Sequence, residues 1–118
     1  MKAGVEWAAG FFEGEGDLSI DFSQSRNGYG GRVSASQSVR EPLDRLVELF
    51  GGKVYQRKHD GNYFWTLNCK NALPFLEQIH PYIVSPLRRK EISVYTAFWN
   101  TTDRDVRNSL LEWWRRRK

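Results

Sequence analysis

The spacing of apolar and polar residues changes several times along this chain, and each change predicts an element. Residues 3 to 14 read as a helix built from small and aromatic residues, brought to an end by Gly14 and Gly16. From Asp17 the period becomes two, with Leu18, Ile20 and Phe22 on one side and Ser19, Asp21, Ser23 and Ser25 on the other. The turn-rich Asn27-Gly-Tyr-Gly-Gly31 follows, and the alternation resumes over Arg32 to Val39. There Val33, Ala35, Gln37 and Val39 share the core side, so Gln37 is a polar intruder. Pro42 opens a second helix with Leu43, Leu46, Val47 and Phe50 at helical spacing, and Gly51-Gly52 stops it. A second hairpin is predicted from Lys53 to His59, a turn at Asp60-Gly61, and Asn62 to Cys69. Three helical segments complete the chain: Asn71 to His80, broken by Pro81; Pro86 to Asn100; and Asp103 onward, with Thr102 as its cap.

The order therefore begins αββαββαα, with the last helical segment following it, an α+β architecture. Two hairpins, each followed by a helix, give a four-stranded antiparallel sheet with helices on one face and a polar open face of Ser, Gln, Arg and Lys. With 118 residues, the expectation is one domain over positions 1–118. Hydrophobic residues at 40% and aromatics at 14% supply a packed core and exclude a disordered chain. Cys69 is the only cysteine, which excludes a disulfide scaffold and suits a reducing compartment, and His59 and His80 are too few for a histidine-based metal site. No apolar run reads as a membrane span or secretory signal, so the expected protein is intracellular, with no membrane partner.

Charge adds a partner class. The net charge is +4, but residues 1 to 85 hold 9 basic and 10 acidic side chains whereas residues 86 to 118 hold 9 and 4. A surplus confined to the C-terminal third, ending in Trp113-Trp-Arg-Arg-Arg-Lys118, makes a polyanion partner plausible. That tail reads either as a solvated end or as a phosphate contact.

The stretch Trp7-Ala-Ala-Gly-Phe-Phe-Glu-Gly-Glu-Gly16 is physically odd. Gly10 and Gly14, four apart, make a smooth strip on a helix where another backbone can approach closely. Glu13, Glu15 and Asp17 crowd carboxylates at the negative end of the helix dipole, so something positive is required there. The plain alternative is a solvated glycine-rich loop.

Residues Ala9 to Gly16, leading directly into an alternating strand, resemble the signature of the LAGLIDADG homing endonucleases, with Glu13 and Glu15 at the two acidic positions that the family name fills with Asp. Ala72-Leu-Pro-Phe-Leu-Glu-Gln-Ile-His-Pro-Tyr-Ile83 is similar to the family's third helix, and the element order extends the resemblance over nearly the whole chain. What this implies is a single-motif subunit that forms a homodimer through its motif helices, at Gly10, Glu13 and Gly14, with double-stranded DNA on the open faces of a saddle. Glu15, with backbone near Gly14, would hold Mg2+ for phosphodiester hydrolysis. Gln37 matches the family's polar residue near the metal, and Arg88 takes the place of a family lysine if two residues around Ser85-Pro86 are an insertion. Both are catalytic candidates by resemblance, with a backbone-bonded Gln and a plain phosphate clamp as the ordinary alternatives. DNA contacts are expected from Gln24, Arg26, Arg32, Ser34, Ser36, Arg57 and Asn62, although Gln56 and Lys58 compete with Arg57 for the open face. The resemblance further implies a gene of a mobile intron or intein. The competing function is a non-catalytic DNA-binding protein, or an RNA-splicing maturase acting on intron RNA.

Overall fold

The computed structural model describes residues 2–23, 25 and 28–117. The chain runs α1 (Lys2–Glu15), β1 (Gly16–Ser23), β2 (Gly28–Gln37), α2 (Glu41–Phe50), β3 (Lys53–Gln56), β4 (Tyr63–Asn68), α3 (Leu73–Ile79), α4 (Pro86–Asn100) and α5 (Arg104–Arg116). The four strands form one antiparallel sheet in the order β1-β2-β4-β3. The α+β class and the αββαββ order are those observed, and three helices, α3, α4 and α5, follow β4, one more than αββαββαα counts.

Alternation decides which face is buried. Leu18, Val33 and Leu67 stand side by side across β1, β2 and β4, and Ala35 pairs with Trp65, so one face of the sheet is continuous apolar surface. Against it lie Ala8, Ala9 and Phe12 of α1, all at 0% exposure. Two alanines let the α1 backbone settle close, and Phe12 meets the edge of Phe75 from α3 at 5.4 Å. Trp65, also fully buried, packs against Phe75 and donates its indole N–H to the Gly51 carbonyl at 2.9 Å. Tyr95 of α4 donates its hydroxyl to the Cys69 carbonyl at 3.0 Å, and burial pushes its pKa far up, keeping it a donor.

Differences from expectation fall at element ends, where side chains bond to backbone. The cap of α5 is Asp103, whose Oδ1 accepts from the Val106 N–H at 3.1 Å, not Thr102; Thr101 Oγ1 accepts from the Asp103 N–H at 3.1 Å and sets the entry. Strand β3 stops at Gln56 because the Asp60 carboxylate accepts from the Asn62 N–H at 2.9 Å and closes the turn early. Strand β2 ends at Gln37, leaving Val39 half exposed rather than on the core side. The third helix opens with a 3₁₀ turn over Cys69–Ala72, and a second one, His80–Tyr82, absorbs Pro81. No helix among the described residues is long and apolar enough to cross a membrane.

Gly16 and Gly31 are required by close approach. A Cβ on Gly16 would lie 2.1 Å from the buried Phe12 ring, and one on Gly31 would lie 2.7 Å from the Trp99 indole nitrogen. Trp99 is itself only 8% exposed and cannot swing away freely. Gly31→Ala is therefore expected to destabilise the fold by about 1–3 kcal/mol, the usual range for overpacking, read as a lower urea midpoint at an unchanged slope; an unshifted midpoint would mean that α4 yields without cost.

Candidate functional site

Helix α1 continues through Glu15, so Glu13 and Glu15 both lie in its last turn, among carbonyls that have no partner within the helix. The two acids meet different surroundings. The carboxylate of Glu13 accepts from the Val84 N–H at 3.0 and 3.1 Å and from the Ser85 N–H at 2.5 Å. Those backbone bonds, with the Arg88 charge as a smaller contribution, hold its pKa below the ordinary carboxylate value. Glu13 thus brackets α1 to the entry of α4 within its own chain. Glu15 is exposed, as are Gly10 and Gly14, and a Cβ built on either glycine finds nothing within 4 Å. The predicted smooth strip is present on the outer side of α1.

The positive charge demanded by this helix end is Arg88. Its Nη2 donates to the Gly16 carbonyl at 2.9 Å, and its guanidinium lies 5.4 Å from the centre of the Phe12 ring. Its Nη1 stands 3.3 Å from Glu91 Oε1, an ion pair without the alignment of a hydrogen bond, which leaves that buried N–H unpartnered among the described residues. Glu91, only 3% exposed, is held from the other side by Arg117, whose Nε lies 2.6 Å from Oε2. Arg117 also donates to the Trp114 carbonyl at 2.6 Å and stacks 4.0 Å from the Trp114 ring. A chain of contacts therefore runs from the end of α5 through Glu91 and Arg88 to the residue after Glu15. Sequence reasoning missed both Glu91 and Arg117. The spacing of Arg88 and Glu91 by three on a helix was an available signal, but the inward turn of the tail had none.

Gln37 ends β2 two residues beyond Ala35, which pairs with Gly16. It is half-buried at the same end of the sheet as Glu15. Among the described residues there is no group of three or more His, Cys, Asp or Glu side chains placed to hold a metal. One chain brings Glu15 as an exposed carboxylate, while the neighbouring Gly16 carbonyl is already occupied by Arg88. These are the hard oxygen donors that Mg2+ prefers, but too few to surround it.

Of the expected DNA contacts, Gln24 and Arg26 lie outside the described residues. Arg32 is exposed on the open face and Ser36 half-buried there, but Ser34, at 7%, is buried opposite Thr66 and offers little to a ligand. Tyr55 pairs with Phe64, which pairs with Ser36, and Arg57 lies over the Phe64 ring, so Arg57 belongs to the open face. Gln56 instead donates to the Gly61 carbonyl at 2.9 Å within its own hairpin. The backbone of Asn62 is held in that turn by Arg57 and Asp60. The same face carries the exposed Asp17 and Asp21 on β1, so it is not uniformly basic. It also carries Phe64, which sequence reasoning passed over although alternation from Trp65 would place it outward.

No protein-family profile matches the sequence, and no curated protein matches it. Solved structures do match the fold. The homing endonuclease I-CvuI, in complex with its target in the presence of calcium, is similar with a TM-score of 0.74 at 19% identity, over 93% of this chain and 74% of that one. The LAGLIDADG homing endonuclease I-GzeII, in complex with a DNA target, is similar with a TM-score of 0.76 at 17% identity, over 92% of this chain and 42% of that one. For the homing endonuclease I-TnaI the TM-score is 0.66 at 19% identity, over 92% of this chain and 95% of that one. This chain has the LAGLIDADG homing endonuclease fold.

Two expectations follow from the helix exit. Because the folded pKa of Glu13 lies below its ordinary value of 4.5, its stabilising contribution is complete above that value and is lost as the pH falls through the lowered one. Glu13→Gln should therefore flatten the fall in stability on the acid side, measured by denaturant titration across that range. Glu91→Ala, which leaves Arg88 and Arg117 without their shared carboxylate, is expected to cost about 3–5 kcal/mol, as for other broken buried pairs; calorimetry giving a wild-type transition would show the triad to be dispensable.

Proposed function

We propose that the protein is a site-specific, metal-dependent DNA endonuclease acting as a homodimer on a pseudo-palindromic duplex. The observation that carries this reading is the exposed Glu15 at the end of a helix with a bare glycine strip, where an open polar sheet begins at the next residue. Two copies meeting along Gly10 and Gly14 would bring two Glu15 carboxylates to one axis. Like charges so placed repel unless a divalent cation lies between them. Glu15 and backbone near Gly14 would hold Mg2+ together with the partner copy and the DNA phosphate. When bound, the ion supplies charge neutralisation at the scissile phosphate and a water of lowered pKa.

The chain's own residues have the remaining roles. Arg88 fixes the Gly16 carbonyl and so sets where the helix delivers Glu15; it is a positioning residue, and its guanidinium cannot act as a proton shuttle at accessible pH. Gln37, at the adjacent strand end, would orient water or phosphate by hydrogen bonding. Arg32, Ser36, Arg57 and Asn62 would contact DNA across the open face, and Gln24 and Arg26 would add contacts. Support comes from the shared fold of I-GzeII, solved with a DNA target, of which this chain covers 42%, as one of two similar halves would.

A second reading, a non-catalytic DNA-binding protein or a maturase on intron RNA, is favoured by the inward commitment of Arg88, which leaves no unengaged arginine at that position beside Glu15. The two readings separate in a cleavage assay on a randomised duplex library with and without Mg2+. Wild type should cut in a metal-dependent way, and Glu15→Gln should lose more than the roughly 10–100-fold that changes to the outer-shell partners of metal ligands cost, while binding persists. Equal cutting by Glu15→Gln would place the active site elsewhere, and specific binding without metal-dependent nicking would support the second reading.

A further inference from the structure

Phe64 sits on the sheet face that no helix covers, yet it is only 8% exposed. What covers it are side chains of its own face. The guanidinium carbon of Arg32 lies 5.1 Å from the ring centre and that of Arg57 lies 5.3 Å from it, while the Tyr55 ring stands beside it at 5.2 Å. We propose that Phe64 is a specificity-positioning residue, a platform that holds the Arg32 and Arg57 guanidiniums with their N–H edges turned outward to read guanine in the major groove. The proposal rests on the reading of the open face as a DNA surface.

The argument is one of preorganisation. An arginine on an open strand face has many rotamers, and fixing one on binding weakens the gain from each contact. A guanidinium held over an aromatic ring by cation–π attraction spends no hydrogen bond to an acceptor on that contact, so its N–H groups stay available for the paired acceptors O6 and N7 of guanine. Arg32 has no carboxylate partner among the described residues, so the ring is what holds it. Arg57 is held at its other end as well, with Nη2 donating to Asp60 Oδ2 at 3.0 Å, which ties it to the hairpin turn. Its Nε is buried without a partner among the described residues, which leaves Nη1 and the remaining Nη2 hydrogen to face a ligand. The ring therefore organises two arginines from different hairpins, one on β2 and one just past β3, into a fixed pair.

The test separates positioning from mere charge. Duplexes selected from a randomised pool by the full chain, then sequenced, give a base preference at each position, and titration against salt gives the number of phosphate contacts. Wild type should enrich guanine at two positions of each half-site, with Arg32→Lys relaxing one and Arg57→Lys the other. Phe64→Leu keeps both cations, so it should leave the salt slope unchanged and lower guanine preference about tenfold at both positions, within the range of a bidentate contact. Phe64→Tyr, which restores a ring, should restore the preference. Phe64→Ile, whose branched side chain suits a strand, replaces the leucine variant if that one fails to fold. If wild type enriches no sequence, the open face is not a DNA-reading surface and both readings fall. If Arg32→Lys and Arg57→Lys relax guanine but Phe64→Leu and Phe64→Ile do not, the arginines read unaided and the platform alone is wrong.

Discussion

The fold depends on how one helix end is neutralised. Helix α1 delivers unpaired carbonyls and the acid Glu13 to the same place, a combination that is unfavourable unless donors and a cation meet it. The chain meets it with two backbone N–H groups, from Val84 and Ser85, and with the Arg88 guanidinium on the Gly16 carbonyl. Those contacts fix the start of α4, and α4 then carries Tyr95 to Cys69 and Trp99 to Gly31, beneath the sheet. Through Glu91 the same arginine reaches the end of α5. The position of Glu15 is thus set by contacts that extend to the last described residue of the chain.

The acids Glu13 and Glu15 show how two residues of one type, two positions apart, take different parts. On a helix they flank Gly14 from opposite sides, since residues separated by two do not face one another. The side of Glu13 meets the α4 entry and is neutralised there; the side of Glu15 meets none of the chain's described donors and stays exposed. The acid without a partner among the described residues at this turn is therefore a carboxylate next to a bare strip.

Much of this could be read from the chain because it depends on periodicity. The switch from helical spacing to alternation at Asp17 places β1, and the glycine pair of α1 falls on one side by geometry alone. What escaped depends on contacts between distant residues or on competition at element ends. Asp103 displaces Thr102 as a cap because its carboxylate reaches the Val106 N–H, and no period encodes that choice. Arg117 and Glu91 are 26 residues apart, and a run of arginines at a chain end looks solvated until a buried carboxylate is found opposite it. Ser34 alternates correctly onto the open face and is nonetheless covered, because burial on an uncovered sheet depends on its neighbours' side chains.

The same lesson alters the meaning of the charge. The sequence places its basic surplus in the C-terminal third, which invites the view that this region grips a polyanion. Three of its arginines are instead structural. Arg88 and Arg117 face Glu91, and Arg107 lies between 5.2 and 5.5 Å from the rings of Phe98, Tyr29 and Trp99 while donating to the Phe98 carbonyl. On the open face, Arg32 and Arg57 share the surface with Asp17 and Asp21. Such a face has little uniform field with which to hold any duplex non-specifically. On the proposed reading, affinity for a duplex would have to come from particular contacts made in register, so that discrimination between sequences and strength of binding would rise together.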